Sequence, residues 1–507
     1  MKGAKNFLLV FPLALTCLSS LLGAEVKKKD PSAVPNVFVQ GTIEHYENRP
    51  LTLFKCQADS LLFVDSVKTD EKGKFAFQIS ASSLLMSKPK GLFKIQLRGN
   101  QSFLFLHQYG LVQFHTIFSE TPFSNITTDS LVVKNSENQA ERANGFNDFV
   151  INRQLQHFQH LQQELNIANY FLLQMMRLYP MEDPFHKTIE NEYAKRFQMM
   201  QEFVNQQIST YPETMSTKIA KAYFQPVLPD WKLPDPGRDS ILARHYFDFF
   251  DPSDTFYLHS NILPEKMELY LALRTNKKGP LGQPIQDELL LSQAATDFLG
   301  KIKSSTDQKG FGQKGPYSFC LNYFLKEFKK GHKEKSFLSL YDSNLQPDDG
   351  ECGAVSADRF SWAREYASLL KGTLIGAVAP DFELEKGGLK LSSIKSDYIL
   401  LVFWASWCPH CAQLLPEVRN LTDSVREKLT TVAISVDSDT SRWKTFVTDN
   451  QLMNWHNTSE LKGWQGVTPK LYNIYATPSL FLLDKERKIL AKPADAAELQ
   501  SWMDKFR

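Results

Sequence analysis

An almost unbroken apolar run, Tyr398–Ala405, is followed two residues later by Cys408-Pro409-His410-Cys411. A run of this length without polar alternation predicts a strand buried on both faces. The pattern after it is helical, so the two cysteines fall at a helix start. Unpaired backbone N–H groups and the helix dipole favour an anion there, which stabilises a thiolate on Cys408. Cys411 follows one turn later and more buried, placed to attack a mixed disulfide on Cys408. His410, between them, can carry positive charge and favour the thiolate further. These residue types at this spacing point to thiol–disulfide exchange.

The segment around the pair reads as alternating strands and helices. Asp381–Glu385 with Gly388–Leu391 predicts a hairpin, Cys408–Leu429 a helix, and Thr430–Val436 a second buried strand. Ser441–Asn450 is helical in pattern, Ser479–Asp484 and Lys488–Ala491 form a second hairpin, and Ala496–Lys505 closes the chain as a helix. Pro416 falls inside the first helix, and Thr477-Pro478 immediately precedes the strand that begins at Ser479.

Residues 376–507 resemble the TlpA and ResA group of exported thiol-disulfide oxidoreductases, a thioredoxin-like family. The resemblance rests on Ala379-Pro380-Asp381-Phe382, Phe403-Trp404-Ala405-Ser406-Trp407-Cys408, Pro416 and Thr477-Pro478. It implies a proline kink at Pro416, a cis proline at Pro478 facing the two cysteines, and a site shaped by Trp407, Pro409, His410, Thr477 and Pro478. The whole chain is similar to long Bacteroidetes-type members through Asp70–Phe77, His245-Tyr246-Phe247-Asp248 onward to Leu273, and Asn322-Tyr323-Phe324. The family implies a periplasmic or envelope-facing location. Two positions depart from it. Leu414 stands where the family often has glutamate, and Val402 where thioredoxin has a buried aspartate. Both usual proton acceptors near the second cysteine are thereby absent. Pro-His between the cysteines is the dipeptide of the strong oxidant DsbA, which leaves the direction of catalysis open.

The preceding sequence separates into two further regions. Val37–Ile117 carries seven short alternating or apolar segments with turn residues between them, such as Asp70-Glu71-Lys72-Gly73. That spacing predicts a β-sandwich or barrel, placed at 30–136. From 137 to 372 apolar residues recur at three- and four-residue spacing, first clearly over Ile167–Leu178, and prolines punctuate the segments. This predicts an all-helical domain. The expected architecture is multidomain: an N-terminal β-sandwich, a central all-α domain and a C-terminal α/β thioredoxin-like fold. A chain of 507 residues exceeds what one hydrophobic core supports, which agrees with several domains.

Residues 1–24 have the order of a secretory signal: Lys2 and Lys5, an apolar Phe7–Leu15, then small residues to Ala24. The alternative is lipidation at Cys17, which Ala14-Leu15-Thr16 fits poorly. Either way the expected location is the periplasm or cell envelope, an oxidising compartment where disulfides persist. Five cysteines remain beyond Cys17, so at least one thiol is unpaired. Cys56 reads as a core thiol and Cys320 as a buried one, with a Cys320–Cys352 disulfide as a minor alternative. A formal net charge of +2 does not suggest nucleic acid as partner.

Three blander or rival readings stand beside exchange. Cys408 and Cys411 could form an inert disulfide or half a zinc site, but no second Cys-x-x-Cys or His-x-x-x-His supplies the other two ligands. A thiol peroxidase would have threonine three residues before the reactive cysteine, where Ala405 stands. A binding protein could use the fold as a scaffold, with no need of two cysteines at a helix start. His157 and His160 read as a solvated pair. The expectation is an exported oxidoreductase without cofactor or metal, exchanging disulfides with cysteine-containing client proteins. A redox partner is also expected, a membrane thiol–disulfide relay protein being one candidate.

Overall fold

The computed structural model describes residues 36–79, 91–98, 101–107, 112–118, 148–224, 235–275, 277–278, 284–285, 287–302, 315–345, 360–384 and 388–506. The predicted signal segment, Cys17, Cys352 and residues 119–136 lie outside them. Two compact units divide between Phe324 and Leu325.

The first unit begins with seven strands: β1 Asn36–Glu44, β2 Pro50–Gln57, β3 Ser60–Lys68, β4 Lys74–Ile79, β5 Gly91–Gln96, β6 Ser102–His107 and β7 Val112–Ile117. They make two sheets, β4-β1-β7 and β3-β2-β5-β6. One apolar cluster draws on both: Val39, Ile43, Phe75, Phe77 and Val112 from the first, and Leu51, Leu53, Phe93, Ile95 and Phe105 from the second. Within the strands these residues alternate, as side chains on one sheet face must. The predicted turn before β4 is built by Asp70, whose Oδ1 accepts from the N–H groups of Lys72 and Lys74, both at 2.8 Å. Gly73 completes it at φ 71, with the Ile43 carbonyl where a side chain would have to sit.

Helices follow: α1 Asp148–Leu178, α2 Pro184–Thr210, α3 Met215–Tyr223, α4 Asp235–Arg244 and α5 Ile262–Thr275, then a two-residue ladder, β8 Lys277–Lys278 with β9 Pro284–Ile285, and α6 Glu288–Leu299. Helix α1 starts well before Ile167, where periodicity first becomes clear. The apolar side chains described as buried in its early turns are Ile151, Leu155 and Phe158, set among glutamines and histidines, so the apolar stripe is thin. The buried Asn152 explains what those turns do. Its side-chain oxygen accepts from the Leu106 N–H at 2.7 Å and its amide donates to the Leu106 carbonyl at 2.6 Å. A polar side chain thus satisfies the edge strand β6, where a buried unpaired peptide would cost about 1–3 kcal/mol.

Helix α7 Pro316–Lys330 spans the division, and α8 Glu334–Leu345 and α9 Ser361–Gly372 belong to the second unit. Helix α8 falls within the region expected to be helical. It packs against α9 through Phe337, whose ring meets Tyr366 edge-on at 4.8 Å.

The rest of the second unit is α/β: β10 Tyr398–Trp404, α10 Pro409–Asp423, β11 Leu429–Ser435, α11 Thr440–Asp449, β12 His456–Ser459, α12 Val467–Leu471, β13 Ser479–Asp484, β14 Ile489–Ala491 and α13 Ala496–Met503. The sheet order is β12-β11-β10-β13-β14, with β10 parallel to β11 and antiparallel to β13. The apolar run of β10 resolves into two faces. Leu400, Val402 and Trp404 join the cluster under α10 and α13, while Ile399, Leu401 and Phe403 join a second cluster with Phe382, Tyr472 and Phe481. A strand buried on both sides has no polar positions left to alternate, which is why it reads as continuous. Among the described residues of the first predicted hairpin, a single bridge joins Glu383 and Lys390. Helix α10 ends at Asp423, short of the predicted Leu429, because the helix-compatible Ser424–Lys428 forms turns instead. Strand β12 is likewise unanticipated. His-Asn-Thr-Ser has no apolar signal and is a strand only through its pairing with β11.

Candidate functional site

The site is built at the C-terminal end of β10. The chain leaves the sheet at Trp404, turns through Ala405–Trp407 and starts α10 at Pro409. Cys408 is the helix N-cap, in extended conformation, and its side chain takes the role usually filled by a serine or aspartate oxygen. The Cys411 N–H donates to Cys408 Sγ at 3.2 Å, and the Cys408 thiol donates to the Thr477 carbonyl at 3.3 Å. Proline at the first helical position loses nothing, since that N–H has no helical partner.

The helix presents Cys411, Leu415, Val418 and Thr422 to the core at spacings of four, three and four residues. Cys411 is fully buried, while Cys408 keeps 5% of its surface exposed. Both thiols are unbridged. Their ionisation is driven apart. Burial opposes charge on Cys408, but hydrogen bonds from the Cys411 thiol, the Thr477 side chain and the backbone N–H groups of Cys411 and His410 outweigh it, holding the pKa below its ordinary value. Cys411 is pushed up to about 12, first by burial and then by its hydrogen bond to Cys408. One thiol is thereby favoured as thiolate and the other as the protonated thiol.

The peptide bond between Thr477 and Pro478 is cis. Pro416 lies inside α10. Trp407, Pro409 and His410 are exposed around Cys408, with Trp407 at 51%. The part of His410 that bears on Cys408 is its backbone N–H. Leu414 is half-buried and packs against the cluster that contains Cys411, and Val402 lies fully buried in the same cluster.

Asp437 is a site residue that motif and periodicity do not flag. It is 1% exposed, just beyond β11, whose last residue Ser435 pairs with Trp404 at the end of β10. Its carboxylate accepts from the Ser406 hydroxyl at 2.7 Å, the Ser406 N–H at 3.0 Å and the Ser435 hydroxyl at 2.7 Å. The loop that carries Cys408 is therefore tied to the neighbouring strand. An acidic residue directly after a buried parallel strand was the available signal, because the C-terminal ends of such strands gather functional groups. Trp464 also escapes sequence reasoning; its ring lies edge-on to Trp407 at 6.1 Å between centroids.

The other sequence candidates lie elsewhere. Cys56 and Cys320 are buried free thiols, and burial pushes the first up to about 12 and raises the second as well. His160 pairs with Glu164 at 3.4 Å, whereas His157 meets Phe203 edge-on. Among the described residues no three His, Cys, Asp or Glu side chains are grouped to hold a metal, and no helix is long and apolar enough to cross a membrane.

Fold and site together define a thioredoxin-like domain, and residues 375–492 match the AhpC/TSA family. The chain is 29% identical over 143 residues to the thiol-disulfide oxidoreductase ResA of Bacillus thuringiensis, covering 27% of this chain and 79% of that protein. It is 30% identical over 142 residues to the ResA of Bacillus cereus, covering 27% of this chain and 78% of that protein. A solved thiol-disulfide oxidoreductase of Bacteroides fragilis is 28% identical, with 26% of this chain and 99% of that one covered and a TM-score of 0.24. The chain belongs to the ResA-like thiol-disulfide oxidoreductases of the thioredoxin-like superfamily.

Proposed function

We propose that the protein exchanges disulfides with client proteins outside the cytoplasm, with Cys408 as nucleophile and Cys411 as resolving thiol. The observation that carries this reading is the opposite displacement of the two thiol pKa values at one helix N-terminus. In the reducing direction the Cys408 thiolate attacks a client disulfide, forming a mixed disulfide and releasing one client thiolate. Cys411 then loses its proton and attacks Cys408 Sγ. The second client sulfur leaves, two electrons have passed to the client, and a Cys408–Cys411 disulfide remains. A redox partner supplying two electrons as thiols returns the pair to the dithiol form. In the oxidising direction the same steps run backwards. Thr477 and Pro478 offer backbone contact to an extended client, and Trp407 with Pro409 and His410 forms the rim around the nucleophile.

Residues 1–24 serve as an export signal in this reading, and the protein works in the periplasm or cell envelope. The two N-terminal sheets sharing one core fit a β-sandwich at 30–136, and the helices at 137–372 position clients or partners. A peroxidase would also use a low-pKa cysteine and matches the same broad family name, but Ala405 stands where its threonine is needed. A scaffold role would leave the pKa split without purpose.

Insulin reduction by the full chain tests the reading, with Cys408→Ser as control. Turnover that survives in Cys408→Ser, or its absence in the natural protein alongside rapid hydroperoxide consumption, would overturn it.

A further inference from the structure

The segment that faces Cys408 is held from outside the α/β layer. Thr477 ends a stretch that begins at Asn473, and two of its side chains are gripped by residues of the turn after α7, the start of α8 and α9. The Asn473 amide donates to Glu334 Oε1 at 2.7 Å and meets the Tyr366 hydroxyl at 3.3 Å. Lys492 lies 3.9 Å from the other Glu334 oxygen. Two residues before Thr477, the Tyr475 ring stacks face to face on His332, with centroids 3.5 Å apart and 17° between planes.

The backbone on both sides is shaped for this contact. His332 has φ 54, in the left-handed region, at the turn that ends α7. Glycine normally fills such a position, and a non-glycine residue there is costly unless its surroundings require it. Here the ring is half of the stack. Asn473 also has φ 52, a conformation that asparagine tolerates better than most residues. The grip lies beyond the Cys-x-x-Cys segment and consists of side chains that no catalytic step uses.

We propose that His332, Glu334 and Tyr366 are positioning residues for the exchange reaction: they fix the Asn473–Pro478 segment so that Thr477 stays against Cys408 Sγ. The helices that precede the α/β layer are thereby part of the working site rather than a separate module. This rests on the assignment of Cys408 as nucleophile. Freeing the segment loosens the Thr477 side-chain hydrogen bond that favours the thiolate, and it lets the client-binding backbone, whose Thr477 carbonyl accepts from the Cys408 thiol, drift.

The experiment uses the full-length chain in three variants: Glu334→Ala, Glu334→Gln and His332→Asn. Glutamine keeps an acceptor for the Asn473 amide, and asparagine keeps the left-handed turn while deleting the ring. The readouts are the thiolate absorbance of Cys408 against pH and its alkylation rate by iodoacetamide at pH 7, after a thermal melt establishes folding. Glu334→Ala and His332→Asn should each raise the Cys408 midpoint by about half a unit and slow alkylation about threefold. Glu334→Gln should stay near the natural protein. Folded variants with an unchanged midpoint and rate would overturn the inference while leaving the nucleophile assignment intact. A natural protein whose Cys408 midpoint is not below that of a free thiol would overturn the assignment itself. Should Glu334→Ala fail to fold, His332→Asn decides alone, because its ring is exposed and outside the core.

Discussion

Cys408 caps the helix that carries Cys411: the Cys411 N–H donates to Cys408 Sγ at 3.2 Å, so the two thiols share one helical turn. The contact favours negative charge on the outer sulfur, while burial first, and the thiol hydrogen bond to Cys408 second, keep the inner one protonated.

The pH dependence of labelling follows from that asymmetry. Both thiols start from an ordinary value of 9.0; Cys408 lies below it and Cys411 at about 12. As pH rises, Cys408 ionises first and Cys411 stays protonated through the physiological range. Iodoacetamide at pH 7 should therefore place one adduct on the reduced site, at Cys408, as read by peptide mass spectrometry. Equal labelling of the two would contradict the split.

Removing the resolving thiol should trap the intermediate. Cys411→Ser leaves Cys408 able to attack but nothing to displace the client, so mixed disulfides should accumulate on non-reducing gels. Trapping by Cys408→Ser instead would reverse the two roles.

Asp437 should matter to stability and to rate together. Asp437→Ala removes the acceptor for Ser406 and Ser435 at a buried position. The loss is about 2–3 kcal/mol of unfolding free energy, measured by denaturant titration of the reduced protein. The Ser406–Cys408 turn is then free to shift, so insulin reduction should slow by more than the loss of folded protein accounts for. Full specific activity in the folded fraction would make Asp437 a purely structural residue.

Leu414 offers a test of how the site departs from its relatives. It lies three residues after Cys411 on α10, half-buried against the cluster that holds that cysteine. A carboxylate there could take the Cys411 proton, and its charge would disfavour a nearby thiolate. Leu414→Glu should raise the Cys408 pKa and make the couple less oxidising. A shift of roughly 30 mV corresponds to about 1.4 kcal/mol. The half-buried position predicts a lowered melting temperature but a folded protein. A folded variant whose potential is unchanged or more oxidising would remove Leu414 as the cause.

Much of the site is legible in the linear order of residues. An apolar run long enough to be buried on both faces, two cysteines at a helix start and a proline ahead of the next strand are all features of neighbouring positions. Local order is what periodicity and capping report. The segments that form β1 to β7 are legible for the same reason, since alternation and turn chemistry are properties of adjacent residues. The polar turns of α1 and the strand β12 are not, because they are held by partners far away in sequence.

By itself the sequence determined the chemistry: which sulfur begins a helix, which one lies a turn deeper, and which strand carries them into the core. Only the tertiary structure decided how that chemistry is supported. Asp437 reaches Ser406 because β10 and β11 run parallel and end together. His332 and Glu334 meet Tyr475 and Asn473 across more than a hundred residues of chain. A hydrogen bond between residues so far apart leaves no period or motif in the sequence. It exists because packing the α/β layer against α8 and α9 brings a turn, a helix start and the loop before Pro478 to the same place.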